Sequence, residues 1–338
     1  MSILIVTRSD DNACVATVTA ALRRRGAKVV RFDTDRFPAE SRLVIRCDGA
    51  SDQARLVTAD GEEDLAEVTA LWHRRLAFGR RLPEAMQPEL REACVRESRA
   101  TALGLIASLR AFHLDRESSI RSAERKQWQL RVAREAGLET PRTLITNDPG
   151  AVRAFAADCR GGVVAKMMTS FAVHEEGREQ VVFTTPLQSA DLERMDGLEL
   201  SPMTFQERIP KALELRVTVI GERVLAAAVD SNAVAGAGED WRRQGEALMH
   251  AWRPHALPAE IERRILGLMD ALALNYGAID FILTPDQRWV FLEINPAGEF
   301  FWLDSRFTPT VSESLADVLL GLAPRREVRP EPSRAAAR

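Results

Sequence analysis

Two apolar segments joined by a short polar stretch, GAIDFILTPDQRWVFLEINP, constrain the fold of this chain more than any other feature. Apolar and polar residues alternate in both segments, which predicts a β-hairpin. With a two-residue turn at Asp286 and Gln287, Asp280 would lie directly opposite Glu293 on one face of the strand pair. The same register would pair Pro285 with Arg288 and Leu283 with Val290.

Polar side chains on that face predict a metal site. Asn295 follows Glu293 by two residues and therefore shares its face. Carboxylates opposed across a strand pair repel each other by up to about 1 kcal/mol, and by more when they are buried, so a cation should neutralise them. Carboxylate and amide oxygens suit Mg²⁺, which completes its shell with water and substrate phosphates. We therefore predict that Asp280, Glu293 and Asn295 bind Mg²⁺, although either carboxylate alone would also fit the exposed face of an ordinary hairpin.

The N-terminal sequence predicts an open α/β sheet. The segments ILIVT, ACVATVTAALRRRG and AKVVRFD have the patterns of a strand, a helix ending at Gly26 and a second strand. No G-x-G-x-x-G motif follows the first strand, which argues against a dinucleotide-binding domain. We expect a substrate-binding or packing domain instead.

Composition limits the class of protein. A chain of 338 residues with 46% apolar residues should form two or three packed units. The formal net charge of -3 disfavours nucleic acid and anionic membranes as the principal partner. The four cysteines are dispersed without a C-x-x-C pair, which disfavours a disulfide framework and a zinc site. There is no signal-peptide pattern and no apolar run near the length of about 18 residues that spans a membrane, so we expect a cytoplasmic protein.

Lysine is scarce in this chain. Only four of the 46 basic residues are lysines, and arginine serves at the other positions. The lysines are therefore candidates for sites that need a compact ammonium group rather than a planar guanidinium. They are Lys28, Lys126, Lys166 and Lys211.

The central and C-terminal segments predict further helices and strands. SSIRSAERKQWQLRVAREAG has the pattern of one helix ending at Gly137. LELRVTVIG and RVLAAAVDS predict two strands joined by a hairpin turn at Gly221 and Glu222. The sequence from Pro324 onward is too polar and proline-rich to pack, so we expect a disordered tail.

The spacing of Asp280, Glu293 and Asn295 resembles the metal-binding signature of the ATP-grasp superfamily, which includes D-alanine-D-alanine ligase and glutathione synthetase. Lys126 and Lys166, the latter ending VVAK, resemble the two ATP-grasp lysines that contact nucleotide phosphates. The alternative that Lys126 and Lys211 are surface charges stays open.

FQERIPKALELR resembles the ATP-grasp hinge that binds the nucleoside. By this resemblance Glu207 would meet the adenine amino group, and the backbone near Arg208 and Ile209 would pair with the ring edge. Glu214 would hold the ribose, and Gln206 belongs to the same nucleotide-binding stretch.

Arg216 is a candidate catalytic residue on the residue pattern itself. Glu214, Arg216 and Thr218 alternate onto one face of a predicted strand, where a guanidinium can grip a phosphoryl group or a carboxylate with two hydrogen bonds. Together with Lys126 and Lys166, it would stabilise the transferring phosphoryl group.

Several segments together resemble the graspetide (microviridin-type) peptide macrocyclases. They are FQERIPKALELRVTVIGERVLAAAVDS, EDWRR, GAIDFILTPD and FLEINPAGEFFWLD, with LWHRR and RFDTDRFP in the N-terminal part. The likeness spans roughly residues 2–322. One departure is that MMTSFAVHEEGREQ, after the second lysine, has a single glycine where many ATP-grasp enzymes have a glycine-rich phosphate loop.

The resemblance implies an α/β ATP-grasp fold, with an N-terminal Rossmann-like domain followed by two ATP-grasp subdomains that clasp ATP. We expect the N-terminal domain at residues 1–115, the central subdomain at 116–203, the C-terminal subdomain at 204–323 and a disordered tail at 324–338. The family also suggests a homodimer.

The implied reaction is an ATP-driven and Mg²⁺-dependent macrocyclisation of a ribosomally made precursor peptide. An Asp or Glu side chain would become an acyl phosphate, and a Thr or Ser hydroxyl or a Lys amine would then close an ester or amide ring. The leader part of the peptide would dock on the central domain and favour the closed, active state.

Substrate contacts can be assigned to basic and acidic side chains. His73, Arg74 and Arg75, together with Arg216, could meet the acidic side chains of the core part of the peptide, or the first three could form a solvated loop edge. Asp230 is a further substrate-binding candidate. No general base can be identified, and Asp230, Asp240 and His73 are the candidates.

Two other functions fit the same sequence. An ATP-grasp ligase could join a free amino acid or glutamate to a protein or small-molecule acceptor. A nucleotide-sensing module with degenerate catalysis is less compatible with the intact metal triple and both lysines.

Overall fold

The architecture is that of a computed structural model, which describes residues 1–48, 53–167, 172–175, 178–181, 184–233 and 248–326. Within this part of the chain, no helix is both long enough and apolar enough to cross a membrane.

The N-terminal part of the chain is built on a parallel sheet. All six residues of its central strand, SILIVT, are buried, as expected for a strand covered on both faces. The sheet order is β2-β1-β6-β7, and β3, β4 and β5 form a separate antiparallel sheet. The predicted strand-helix-strand opening is confirmed. The elements are β1 (Ser2–Thr7), α1 (Ala13–Arg24), β2 (Lys28–Asp33), β3 (Arg42–Arg46), β4 (Gln53–Thr58), β5 (Gly61–Asp64), β6 (Val68–His73), α2 (Pro88–Ser108) and β7 (Phe112–His113).

The central part contains a four-stranded antiparallel sheet with the order β12-β9-β13-β8, and β10 pairs with β11 separately. Its elements are α3 (Glu117–Ala123), α4 (Lys126–Glu135), β8 (Thr143–Thr146), α5 (Pro149–Asp158), β9 (Val163–Lys166), β10 (Ala172–Glu175), β11 (Arg178–Val181), β12 (Thr185–Pro186), α6 (Ser189–Glu193) and β13 (Met203–Glu207). A domain boundary between residues 203 and 204 would divide β13, which belongs to this sheet. We propose that the boundary lies after Glu207.

The single helix predicted to end at Gly137 is interrupted. α3 ends at Ala123 and α4 begins at Lys126, because Arg125 between them has an extended backbone conformation. The break makes Lys126 the first residue of a helix, where backbone N–H groups are free of intrahelical partners.

The C-terminal part is an antiparallel sheet of five strands in the order β16-β15-β14-β17-β18. The predicted two-residue turn at Gly221 and Glu222 is confirmed, since Ile220 pairs with Arg223. The elements are β14 (Leu213–Ile220), β15 (Arg223–Val229), β16 (Arg253–Pro254), α7 (Ala259–Leu272), β17 (Tyr276–Leu283), β18 (Trp289–Asn295) and α8 (Val311–Leu320).

The two faces of this sheet have different roles. One face is apolar and packs against α4 and α7; Leu215, Val217 and Val219 of β14 lie in that core with Ile265 and Leu268 of α7. Because side chains alternate along a strand, the intervening residues of β14 lie on the opposite face. The apolar face anchors the sheet to the two helices, and the opposite face carries the polar side chains of Glu214, Arg216 and Thr218.

The segment predicted as a disordered tail begins with packed residues. Arg325 donates hydrogen bonds to the carbonyls of Val318 and Leu319, and the Arg326 backbone N–H donates to the Asn275 side chain. The prediction is therefore wrong for these first residues. Residues 327–338 lie outside those that the structure describes.

Candidate active site

The hairpin of β17 and β18 aligns the two carboxylates as predicted, but through a different turn. Asp280 lies opposite Glu293. The turn has three residues rather than two, because Thr284 pairs with Arg288 and Gln287 adopts a left-handed conformation with φ 65. Leu283 therefore faces Trp289 rather than Val290, and the predicted Pro285 to Arg288 pairing is also wrong.

A shift of one residue restores the register. It lies between Asp280 and Phe281, where β18 has one residue more than β17. This bulge cancels the extra residue of the turn, so that Asp280 meets Glu293 after all. Asn295 continues the same strand and lies opposite Ala278, and its Oδ1 atom accepts a hydrogen bond from the Ala297 N–H.

A cation from this chain contacts each of the two carboxylates. Arg216 lies opposite Asp280 on the neighbouring strand, with Nη1 3.0 Å from Oδ1. Lys126 approaches from α4, with Nζ 2.5 Å from Oε2 of Glu293. The repulsion between the carboxylates is thus offset, and the predicted metal triple, one predicted phosphate lysine and the predicted catalytic arginine lie together.

Lys126 occupies an electrostatically unusual position. It is the first residue of α4, and the first turn of that helix contains no acidic residue. A helix N-terminus carries partial positive charge, so a lysine there is unfavourable unless an anion lies nearby. Glu293 supplies one such anion. The backbone N–H groups in the first turn of α4, together with the Lys126 ammonium, form a site that suits phosphate.

The Arg216 side chain is mostly buried between Asp280 and Trp302. Its side chain is 11% exposed, and its guanidinium lies over the ring of Trp302 at 5.5 Å from the centroid. Among the residues that the structure describes, its buried Nε atom has no hydrogen-bond partner, and the same holds for the buried hydroxyl of Thr218 on the same face. Unpaired buried polar groups are costly, so this pattern indicates a place for a polar ligand.

The predicted adenine-binding stretch is partly engaged within the protein. Gln206 is buried and donates to the Thr143 hydroxyl at 3.0 Å. One carboxylate oxygen of Glu207 accepts from the backbone N–H of Arg142 at 2.8 Å. The N–H of Arg208 donates to the Gly162 carbonyl, so this particular group is not available to an adenine ring. Half-buried Ile209 follows the end of β13.

Glu214 is also paired. Lys211 Nζ lies 2.8 Å from its Oε1 atom, and both side chains are mostly buried, so Lys211 is not the exposed surface charge of the alternative interpretation. Asp230 directly follows β15, and Val229 lies opposite Glu214. The Asp230 carboxylate is exposed and accepts from the Asn232 N–H.

Lys166 is the last residue of β9, half-buried and opposite Thr204. Residues 168–171, which follow Met167 in the segment MMTSFAVHEEGREQ, lie outside the described residues. Asp240 and the EDWRR segment also lie outside the described residues.

Two of the three residues in the predicted basic cluster at the end of β6, His73 and Arg74, are buried, which is not the accessible position expected of a substrate contact. Burial lowers the pKa of His73 to about 4, so it is a neutral interior side chain and not an accessible base. The Arg74 side chain is 1% exposed and forms two hydrogen bonds with Asp11. Only Arg75 reaches solvent appreciably, and it pairs with Glu299 at 2.8 Å.

Glu299 joins the N-terminal part of the chain to the loop that follows Asn295. It contacts Arg74 as well as Arg75, and the Cys14 thiol donates to its Oε2 atom at 2.7 Å. Burial and this hydrogen bond raise the pKa of Cys14 to about 12, so the thiol stays protonated. The network fixes the loop that follows Asn295 against the end of β6.

Sequence reasoning missed three residues at this site: Gln129, Glu299 and Trp302. Gln129 is buried on α4 and bonds the backbone of Ile294 between Glu293 and Asn295. Its signal in the sequence is weak, a polar residue three positions after Lys126 on the apolar side of the helix. Glu299 and Trp302 lie in a loop, where no periodicity indicates which side chains are buried.

The donor set of the metal triple fits Mg²⁺. Within the described part of the chain, no three His, Cys, Asp or Glu side chains are placed to hold a metal. The predicted site has only two carboxylates and one amide oxygen, which matches an ion that keeps several water or phosphate ligands.

Comparison with known proteins identifies the family. Residues 2–121 match the family described as MvdD pre-ATP grasp domain. The macrocyclase MdnC from Microcystis aeruginosa MRC, in its crystal structure with the precursor peptide MdnA, is 43% identical over 95% of this chain and 100% of that chain, with a TM-score of 0.85. This chain belongs to the graspetide ATP-grasp ligases.

Two further ATP-grasp ligase structures are similar to this chain. The Chryseobacterium gregarium RiPP-associated ATP-grasp ligase, in complex with ADP and a leader and core peptide, is 38% identical over 97% of this chain and 99% of that chain, with a TM-score of 0.92. The ATP-grasp ligase PsnB, complexed with minimal precursor, Mg and ADP, is 26% identical over 94% of this chain and 96% of that chain, with a TM-score of 0.76. No curated protein sequence matched. The predicted ATP-grasp fold is confirmed, and the protein is an ATP-dependent ligase.

Proposed function

We propose that this ligase is an ATP-dependent macrocyclase of a ribosomally made precursor peptide. The observation that carries the proposal is the Arg216 environment: a buried guanidinium beside Asp280, stacked on Trp302, with its Nε atom unpaired among the described residues. Such a group fits a carboxylate or phosphoryl group that enters the site. The relatives MdnC and PsnB, which are bound to precursor peptides, support a peptide as the source of that carboxylate.

Asp280, Glu293 and Asn295 would hold Mg²⁺. The ion would supply charge neutralisation on the nucleotide phosphates, which is the usual need in phosphoryl transfer. Lys126, at the N-terminus of α4, would contact the same phosphates, and Lys166 would contact them from the central sheet.

Gln206 to Ile209 and Glu214 would bind the nucleoside between the central and C-terminal sheets. The other carboxylate oxygen of Glu207, which does not accept from the Arg142 N–H, would meet the adenine amino group. Glu214 would hold the ribose, for which it would exchange part of its contact with Lys211.

The reaction would proceed in two steps. In the first, a side-chain carboxylate oxygen of the peptide attacks the γ-phosphorus, the bond from that phosphorus to the β-phosphate oxygen breaks, and ADP leaves. Arg216 and both lysines would stabilise the transferring group. In the second, a Thr or Ser hydroxyl or a Lys amine attacks the acyl carbon and loses a proton, and phosphate leaves. The ring closed in this way is an ester or an amide.

Core-peptide contacts would come from Arg216, exposed Asp230 and Arg75. Arg74 is left out of this set because its side chain is buried in an ion pair with Asp11. The leader would dock on the central domain, and we propose a homodimer as the assembled state.

Intact mass spectrometry tests the proposal. A leader-bearing candidate peptide, with acidic residues and Thr, Ser or Lys in its core, is incubated with the enzyme, ATP and Mg²⁺. We expect the peptide to lose the mass of one water for each ring, and only when ATP is present. A gain of one amino-acid residue would instead establish an amino-acid ligase and contradict the proposal.

A further inference from the structure

The outer edge of β18 is closed at Ile294 by a side chain. β18 is the last strand of its sheet, and on its outer edge the Phe291 N–H donates to the Glu139 carbonyl at 2.8 Å. At Ile294 the carboxamide of Gln129 takes the place of a neighbouring strand: the Ile294 N–H donates to Oε1 at 3.1 Å, and Nε2 donates to the Ile294 carbonyl at 2.9 Å. Nε2 also donates to the Ala123 carbonyl at the end of α3.

Ile294 is the residue between two proposed metal ligands. Glu293 precedes it and Asn295 follows it, so both peptide groups that Gln129 bonds belong to the backbone that directs these side chains. Gln129 is 1% exposed, and its amide is therefore a fixed interior contact rather than a solvated one. A rotation of this backbone would redirect both ligands at once.

The same helix turn carries the phosphate-binding lysine. Lys126 lies three positions before Gln129 on α4, and residues at this spacing share a helix face. Lys126 reaches Glu293 while Gln129 holds Ile294, so α4 contacts two consecutive residues of β18. These contacts fix the position of α4 along β18 and the rotation of the helix about its own axis.

We propose that Gln129 is a positioning residue that aligns Lys126 with the Glu293 and Asn295 ligands and thereby sets the affinity for the Mg²⁺-nucleotide complex. The inference rests on the proposed roles of these three residues in binding Mg²⁺ and phosphate. Replacement of residues that orient metal ligands without binding the metal themselves commonly lowers metal affinity by about 10-fold to 100-fold.

The decisive variant is Gln129→Met, which keeps length and flexibility but removes the donor and the acceptor. The matched control is Gln127→Met, the same change on the exposed side of the same helix. Binding of ADP with Mg²⁺ is measured by calorimetry, and the KM values for ATP and for the peptide are measured separately. We expect Gln129→Met to weaken Mg²⁺-ADP binding about tenfold or more and to raise the KM for ATP, with the KM for the peptide unchanged.

Equal Mg²⁺-ADP affinity in Gln129→Met and wild type would overturn the inference, and so would equal losses in ATP and peptide KM, which indicate general damage. If Gln129→Met does not fold, Gln129→Asn tests the inference instead, because it keeps the amide but shortens the side chain by one methylene. We expect Gln129→Asn to weaken Mg²⁺-ADP binding as well. Unchanged binding in that variant would contradict the inference. Wild-type protein that fails to bind Mg²⁺-ADP would overturn the proposed site itself, a result distinct from equal binding by wild type and variant.

Discussion

Arg216 lies directly opposite Asp280 on neighbouring strands, with its Nη1 atom 3.0 Å from the Asp280 carboxylate. Lys126 contacts Glu293 in a comparable way from α4. Both carboxylates that we propose as Mg²⁺ ligands are therefore in contact with cations of this chain. An arriving metal competes with these cations unless phosphates accompany it and offer them new anionic partners.

This competition predicts that Mg²⁺ and nucleotide bind interdependently. We expect Mg²⁺ alone to bind weakly, and ADP to strengthen Mg²⁺ binding about tenfold or more, which corresponds to about 1.4 kcal/mol of coupling. Calorimetric titration of Mg²⁺ with and without ADP measures the coupling directly. Equal Mg²⁺ affinity in the two titrations would contradict it.

Glu293→Gln should abolish Mg²⁺-dependent turnover with little change in stability. The substitution removes a charged ligand from the proposed metal site and leaves Lys126 facing a neutral amide. ADP release is measured across a Mg²⁺ titration, with Glu97→Gln on the exposed side of α2 as the control. Full activity of the Glu293 variant would refute the site assignment.

Arg216→Lys should lower turnover by about 100-fold or more while the protein stays folded, by analogy with the loss of one transition-state donor. The lysine keeps the charge but lacks the planar fork and the Nε–H group that lies buried without a described partner. Single-turnover measurements separate this effect from binding. A change confined to the KM for the peptide would mean that Arg216 only binds substrate.

Asp11→Ala should lower the free energy of unfolding by about 3–5 kcal/mol, because it leaves the guanidinium of Arg74 buried without its carboxylate. Burial by itself raises the pKa of Asp11, but the hydrogen bonds and charge of Arg74 lower it overall, which identifies the ionised pair. Asp10→Ala, which removes an exposed carboxylate next in the chain, should cost about 1 kcal/mol or less. Denaturant titration compares the two, and equal costs would argue against a buried ion pair.

Stability should fall in mild acid because of His73. Burial lowers the pKa of His73 from 6.5 to about 4. Between pH 6.5 and 4, therefore, His73 is protonated in the unfolded chain but stays neutral in the folded protein. The free energy of unfolding should therefore decrease from pH 6.5 to 4, by up to about 3 kcal/mol from this residue. Above pH 6.5, the pKa of His73 in the unfolded chain, His73 is neutral in both states and causes no loss of stability.

Denaturant unfolding at several pH values, in wild type and in His73→Leu, checks this sign. The variant should lose most of the decrease between pH 6.5 and 4, whereas His250→Leu, at an exposed histidine, should keep it. Identical pH slopes for wild type and His73→Leu would show that other groups cause the acid sensitivity.

The sequence by itself determined the features that depend on local periodicity and short spacing. The two-residue turn at Gly221 and Glu222 follows from a glycine between two apolar runs, and the alternation of Glu214 with Arg216 follows from the period of a strand. The facing of Asp280 and Glu293 was also predicted correctly, although by a register in which two errors cancel. A three-residue turn and a bulge each shift the pairing by one residue, and neither leaves an unambiguous trace in sequence.

Only the tertiary structure decided which polar side chains are buried. Arg74 resembles a substrate-binding residue in sequence, but Asp11, 63 positions away, neutralises it in the interior. Gln129 resembles an ordinary helix residue until Ile294, 165 positions away, supplies its hydrogen-bond partners. Burial of a polar group depends on partners that come from distant parts of the chain, and local periodicity carries no information about them.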